Sequence, residues 1–238
     1  MKAHAGWSLL VTCEHGANEV PAAYRALFRG RAAELASHRG WDPGTLALAR
    51  ALAGRLDAPL VSATVTRLLV DLNRSSHNPR AFSSVTRALP RAERLALLER
   101  FHAPHWQTAR AEVARGIAGE GRVLHLGVHS FTPVLDGTAR KADIALLYDP
   151  ARPRERALAA HWLRALRVAE PARVVRRNDP YRGSADGLTT ALRREYPAAR
   201  YLGIEIEVNQ RHVGRGGHFP AWVVDALAGS LPKVLAAH

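Results

Sequence analysis

The first apolar run of the chain stops on an acid and a histidine, Glu14 and His15, in the stretch "VTCEHGANEVP". Other runs end in groups equally able to do chemistry. Asp71, Asn73 and Arg74 follow the run at 68–70, His129 and Ser130 close "RVLHLGVHS", Asn178 and Asp179 follow "ARVVRR", and Glu205, Glu207 and Asn209 alternate through "YLGIEIEVNQ". A hydrolytic zinc site needs about three nitrogen or oxygen ligands, an open position for water, a base nearby and something to hold the substrate. The chain has candidates for each. His15 and His129 are the candidate metal ligands, and Ser130 either orients its neighbour or ends the strand. His125 shares the face of His129 but lies deeper along the run, so it reads as structural. Asn73 and Arg74 suit a bidentate clamp on a substrate carboxylate; the alternative is a turn in which Arg74 pairs with Asp71.

Strict alternation puts Glu205, Glu207 and Asn209 on one face of the last strand. Two carboxylates on one side of an apolar run are costly to bury unless paired or coordinated. Glu207, nearer the end, is therefore the candidate general base, with Glu205 supporting it. Asp42 opens a helix in "WDPGTLALAR", where a carboxylate caps the helix or reaches a metal. Asn178, Arg182 and Gly183 lie in "RNDPYRGSADGLTTALRREY", rich in turn formers, and form either a loop over the substrate or a plain connection.

For these residues to meet, the elements carrying them must end at one edge. Short β-rich runs ("WSLLVTC", "LVSATVT" with the following "LLVDLN", "RVLHLGVHS", "DIALLYD", "ARVVRR", "YLGIEIEVN") alternate with Ala-, Leu- and Arg-rich segments that predict helices at 20–30, 43–56, 90–118, 152–166, 187–196 and 221–237. That alternation predicts a three-layer α/β fold, a mostly parallel mixed sheet with helices on both faces. Pro43 and Pro153 suit first-turn helix positions, and Gly30 and Gly54 suit helix stops. In open α/β sheets the ligand crevice lies outside the carboxyl ends of the strands, so residues far apart in sequence converge there.

The 238 residues, 47% of them hydrophobic, predict one large domain, 1–238. No run approaches the ~20 apolar residues of a membrane span, and the N-terminal stretch lacks a signal-peptide pattern; a cytoplasmic protein without a membrane partner is expected. The single cysteine, Cys13, rules out an internal disulfide or a cysteine metal cluster. A formal charge of +13 raises the question of nucleic acid. Only three of the 34 basic residues are lysines, however, and the arginines are spread along helix-like stretches. Solvated helix faces account for that, and no nucleic-acid partner is expected.

The set "CEHGANEVP", "WDPGTLALAR", "DLNR", "GVHSFTPVLDG", "DIALLYDP", "NDPYRGSADGLTTAL" and "GIEIEVNQ", in this order from about residue 9 to about residue 213, resembles the N-formylglutamate amidohydrolase family, in particular the branch with an acid before the first histidine. The resemblance implies a single catalytic domain with a zinc-carboxypeptidase-like (phosphorylase/hydrolase-like) fold. It further implies metal-dependent cleavage of the amide of a small N-acyl amino acid such as N-formyl-L-glutamate, giving glutamate and formate in histidine breakdown. The implied cofactor is Zn2+ or another divalent metal, with His15 and His129 as ligands, Asn73 and Arg74 on a terminal carboxylate, and Glu207 as general base. The third ligand departs from the His-x-x-Glu pattern of the related carboxypeptidases, because Asn18 stands there. Glu14 and Asp42, both in family motifs, can supply the carboxylate, and Glu19 ranks after them. Two other readings carry different expectations: a carboxypeptidase-like hydrolase of another acylated or peptidic substrate, and an arginine-rich nucleic-acid-binding protein whose affinity falls steeply with salt. The sequence leaves the oligomeric state open.

Overall fold

A computed structural model describes residues 6–237. Among them lie eight strands, β1 (Ser8–Cys13), β2 (Leu60–Ser62), β3 (Val123–Phe131), β4 (Val134–Leu135), β5 (Thr138–Ala139), β6 (Ile144–Leu147), β7 (Val175–Arg177) and β8 (Tyr201–Asn209). Eight α-helices accompany them: α1 (Ala32–Ala36), α2 (Thr45–Arg55), α3 (Ser84–Arg87), α4 (Arg91–Leu97), α5 (Ala103–Glu120), α6 (Pro153–Ala169), α7 (Leu188–Glu195) and α8 (Ala221–Ala236). Six strands form the main sheet in the order β2-β1-β3-β8-β6-β7, and β4 and β5 make a separate hairpin.

The central strands β1 and β3 are buried along their whole length, as near-continuous apolar runs covered on both faces must be. Odd-numbered side chains of β1 and even-numbered ones of β3 and β8 join α2, α6 and α8 in the larger core. On the opposite face α5 and α7 pack over Leu10, Val123 and Tyr201. The expected three-layer, mostly parallel mixed sheet with helices on both faces is therefore the observed one. Within the first layer the buried Trp162 indole N–H donates to Ser230 Oγ (2.9 Å), joining α6 to α8. Ser230→Ala leaves that N–H buried without an acceptor, and is expected to cost about 1–3 kcal/mol, read as a lower denaturant midpoint with unchanged slope.

Several local expectations are corrected. The segment "LLVDLN" is a series of turns. Leu68, Leu69, Val70 and Leu72 are buried in a satellite core beneath the first 3-10 turn and α4, and the backbone bonds are local, Leu69 N–H to Thr66 O and Arg74 N–H to Asp71 O. A short apolar run reports burial without saying which backbone achieves it. The 90–118 helix is interrupted by a π-helical stretch, Leu98–His102, and the 20–30 segment is 3-10 at Ala22–Phe28. Pro43 stands in the turn ahead of α2, whose N-cap is Gly44 at φ 81°; Gly54 lies inside α2, whereas Gly30 (φ 73°) follows the 3-10 turn and Pro153 opens α6 as expected. β6 runs antiparallel to β8, and β7 parallel to β6, so β7 points against the central strands and its carboxyl end lies away from theirs. No helix of the described residues is long and apolar enough to cross a membrane.

Candidate active site

At the carboxyl ends of β1, β3 and β8 lies a cavity of about 240 Å³ whose walls include His15, Asp42, Arg67, Arg74, His129 and Glu207. Local backbone explains how His15 arrives there. After Cys13 the chain turns at once, and Gly16 fits between Cys13 and Leu46, where a Cβ would meet the sulfur at 2.7 Å. The His15 carbonyl then accepts from the Asp42 N–H (2.8 Å), which brings the start of the α2 segment to the end of β1. His129 and Glu207 are register partners on β3 and β8, and the neighbouring pair of Gly127 with Glu205 leaves room for the glutamate.

Asp42 is the meeting point. Its Oδ2 lies 3.5 Å from His15 Nδ1 and 3.2 Å from His129 Nδ1, and ligand atoms of His15, Asp42 and His129 all lie within 4.8 Å of one another. It does not cap α2, which has no side-chain cap. Behind each histidine stands a second carboxylate. His15 Nε2 bonds Asp71 Oδ1 at 2.6 Å, and His129 Nε2 lies 3.2 Å from Glu14 Oε2. Arg67 donates to both Asp42 Oδ1 and Asp71 Oδ2, each at 3.2 Å. Burial works to raise the carboxyl pKa of Asp42 and Asp71, but His15 and Arg67 outweigh it and hold both far below the usual carboxylate range. Asp71 therefore pairs with His15 and Arg67, and the Arg74–Asp71 pair considered from sequence does not form.

Glu207 has the opposite electrostatics. It is 5% exposed, and its Oε2 has no hydrogen-bond partner among the described residues. Burial, reinforced by the charges of Asp42 and Glu205 against the opposing His129, pushes its carboxyl up to about 8. Glu205 is held by Thr189 Oγ (2.6 Å), on α7. Arg74 pairs with no carboxylate among the described residues; one guanidinium nitrogen donates to the Asp186 carbonyl (2.5 Å), which fixes the side chain while leaving its charge facing the cavity. Asn73 Oδ1 accepts from the Leu188 N–H (3.1 Å), turning its NH2 toward His129 Nε2 at 3.4 Å. Arg182 lines the cavity mouth and is exposed.

Three sequence candidates lie elsewhere. Asn178 does not line the cavity; its Oδ1 accepts from the Tyr148 and Gly183 N–H groups (3.0 and 3.1 Å), which makes it a clamp of the 178–183 loop. Glu19 is exposed and outside the cavity. Glu14, considered as a ligand, is buried behind His129 and is not one of the three groups that meet at Asp42. Conversely, Arg67 was not singled out. The available signal was a lone cation next to an apolar run, four residues before Asp71, a placement that calls for a buried partner.

A family model described as N-formylglutamate amidohydrolase matches residues 7–213. No curated protein is a match to the chain. Among solved structures, a gene product of Agrobacterium tumefaciens is similar at 31% identity and TM-score 0.82, over 98% of this chain and 93% of that one. An N-formylglutamate amidohydrolase from Ralstonia eutropha is similar in fold at 22% identity and TM-score 0.68, again over 98% and 93%.

Proposed function

Because the chain belongs to the N-formylglutamate amidohydrolase family, we propose that it works as a single-domain, metal-dependent amidohydrolase cleaving the amide of a small N-acyl amino acid, N-formyl-L-glutamate being the first candidate. The observation that carries this reading is the convergence of His15, Asp42 and His129 on one wall of a cavity that also holds Glu207 and Arg74. The donor set fits the cofactor. Two imidazoles and one carboxylate make a common three-ligand zinc set that leaves a position open for water or substrate. Zinc, or another divalent metal, held there would supply a Lewis acid that polarises the acyl carbonyl and makes water more acidic.

The chain's own groups account for the rest. Glu207 takes a proton from the attacking water and passes it to the leaving amide nitrogen, so one carboxyl serves as base and then acid. Arg74, with Asn73 beside it and Arg182 at the mouth, holds substrate carboxylate and aligns the acyl carbon with the water. Arg67 ties Asp42 to Asp71, so the carboxylate facing the metal and the one orienting His15 move as a unit.

A screen of N-formyl, N-acetyl and N-succinyl amino acids, each as free acid and as α-amide, with metal analysis of the purified protein, tests the reading. Arg74→Lys keeps the charge and loses the planar fork. A contact of about 1.5–3 kcal/mol implies roughly 10- to 150-fold lower kcat/KM for the acids, with a much smaller loss for the amides. Equal hydrolysis of acids and amides by the native enzyme rules out the clamp. Turnover confined to peptidic substrates would favour a carboxypeptidase-like specificity instead.

A further inference from the structure

Glu14 is 2% exposed, and neither of its carboxylate oxygens receives an aligned hydrogen bond. A buried carboxylate in that state is costly unless cationic or proton-donating groups stand close. Two imidazoles do. His129 Nε2 lies 3.2 Å from Oε2 and His105 Nε2, on α5, lies 3.7 Å from Oε1. The other ring nitrogen of His129, Nδ1, faces Asp42 Oδ2 at 3.2 Å.

These distances constrain the proton on His129. Nε2 either keeps a lone pair, accepting from the Asn73 NH2 at 3.4 Å, or carries a proton that it donates to Glu14; it cannot do both. The first choice sets a lone pair against a buried anion 3.2 Å away. The second gives that anion a donor and leaves the lone pair on Nδ1, toward Asp42. Asp71 is the stronger counterpart behind His15: there Nε2 hydrogen-bonds Oδ1 at 2.6 Å, with Nδ1 turned to Asp42.

We propose that Glu14 is a positioning residue: it takes the Nε2–H of His129 and fixes the ring so that Nδ1 faces the metal position beside Asp42, with the His105 imidazole 3.7 Å from its other oxygen as a second charge partner. This rests on the reading of His129 as a metal ligand. It assigns the acid of "CEHG" a place behind the site, and it frees the Asn73 amide for substrate.

Glu14→Gln tests it, because glutamine keeps the shape and removes only the charge. Outer-shell partners of metal-bound histidines are worth about 10- to 100-fold in metal affinity, so the variant should bind zinc 10- to 100-fold more weakly in chelator competition. The cobalt-substituted protein should show a shifted visible spectrum. Native affinity and spectrum in the variant would make Glu14 a merely structural acid and overturn the proposal. Loss of metal as complete as in His129→Ala would make Glu14 a ligand, which also overturns it. If the variant does not fold, the native zinc-loaded protein still decides: long-range proton–nitrogen correlation spectra should show His129 protonated on Nε2, and a proton on Nδ1 refutes the assignment. A native protein that binds no divalent metal would instead sink the proposed function, a separate outcome.

Discussion

His15→Ala and His129→Ala are each expected to purify without metal and without hydrolytic activity, while keeping the native far-UV circular dichroism. Both rings face Asp42 Oδ2 through Nδ1, and neither belongs to the apolar clusters that hold the sheet to its helices. Losing one of three protein ligands removes more than the 10- to 100-fold that a supporting residue contributes. Asp42→Asn should likewise lose more than 100-fold in zinc affinity, whereas Glu19→Gln, exposed and outside the cavity, should bind zinc like the native protein. Elemental analysis after gel filtration reads all four variants. One zinc per chain in both histidine variants would mean that the metal lies elsewhere.

The second large effect is kinetic. Glu207→Gln should retain zinc and lower kcat/KM by about 10²- to 10⁴-fold, the usual worth of a positioned general base. The substitution is nearly isosteric, so packing beside His129 is kept and the loss is chemical. The sign of the pH dependence follows from the same carboxyl. Burial, with Asp42 and Glu205 adding their charge, pushes it up to about 8 without metal, and only the deprotonated form can accept a proton. Activity is therefore present at higher pH and lost as pH falls. A bound dication stabilises the carboxylate, so the acid limb of kcat/KM should lie below pH 8 in the zinc enzyme and be missing from the residual activity of Glu207→Gln. A variant with native kcat/KM would remove Glu207 from the reaction.

What the sequence determined by itself was burial and facing. Runs such as "SLLVTC" and "VLHLGVHSF" are apolar enough to require cover on both faces, and the alternation of Glu205, Glu207 and Asn209 sets all three on the face of β8 opposite the larger core, where Glu205 and Glu207 reach the cavity. These are properties of consecutive residues on a pleated backbone, and the periodicity records them. Placement at the ends of apolar runs already picked out residues of the cavity, His15, Asn73, Arg74, His129 and Glu207, and the family motifs gave them the same roles. Strand direction leaves no such trace, which is why β7 turned out to run against the centre and Asn178 to be a loop clamp. Nor does charge pairing across the chain. Asp42 could cap its own helix or face His129, 87 residues away; Asp71 could pair with Arg74 beside it or with His15, 56 residues back. In both cases tertiary packing chose the distant partner, because once these carboxylates are buried their electrostatic energy depends on which cation the fold brings within about 3–4 Å, and proximity in sequence does not set that distance.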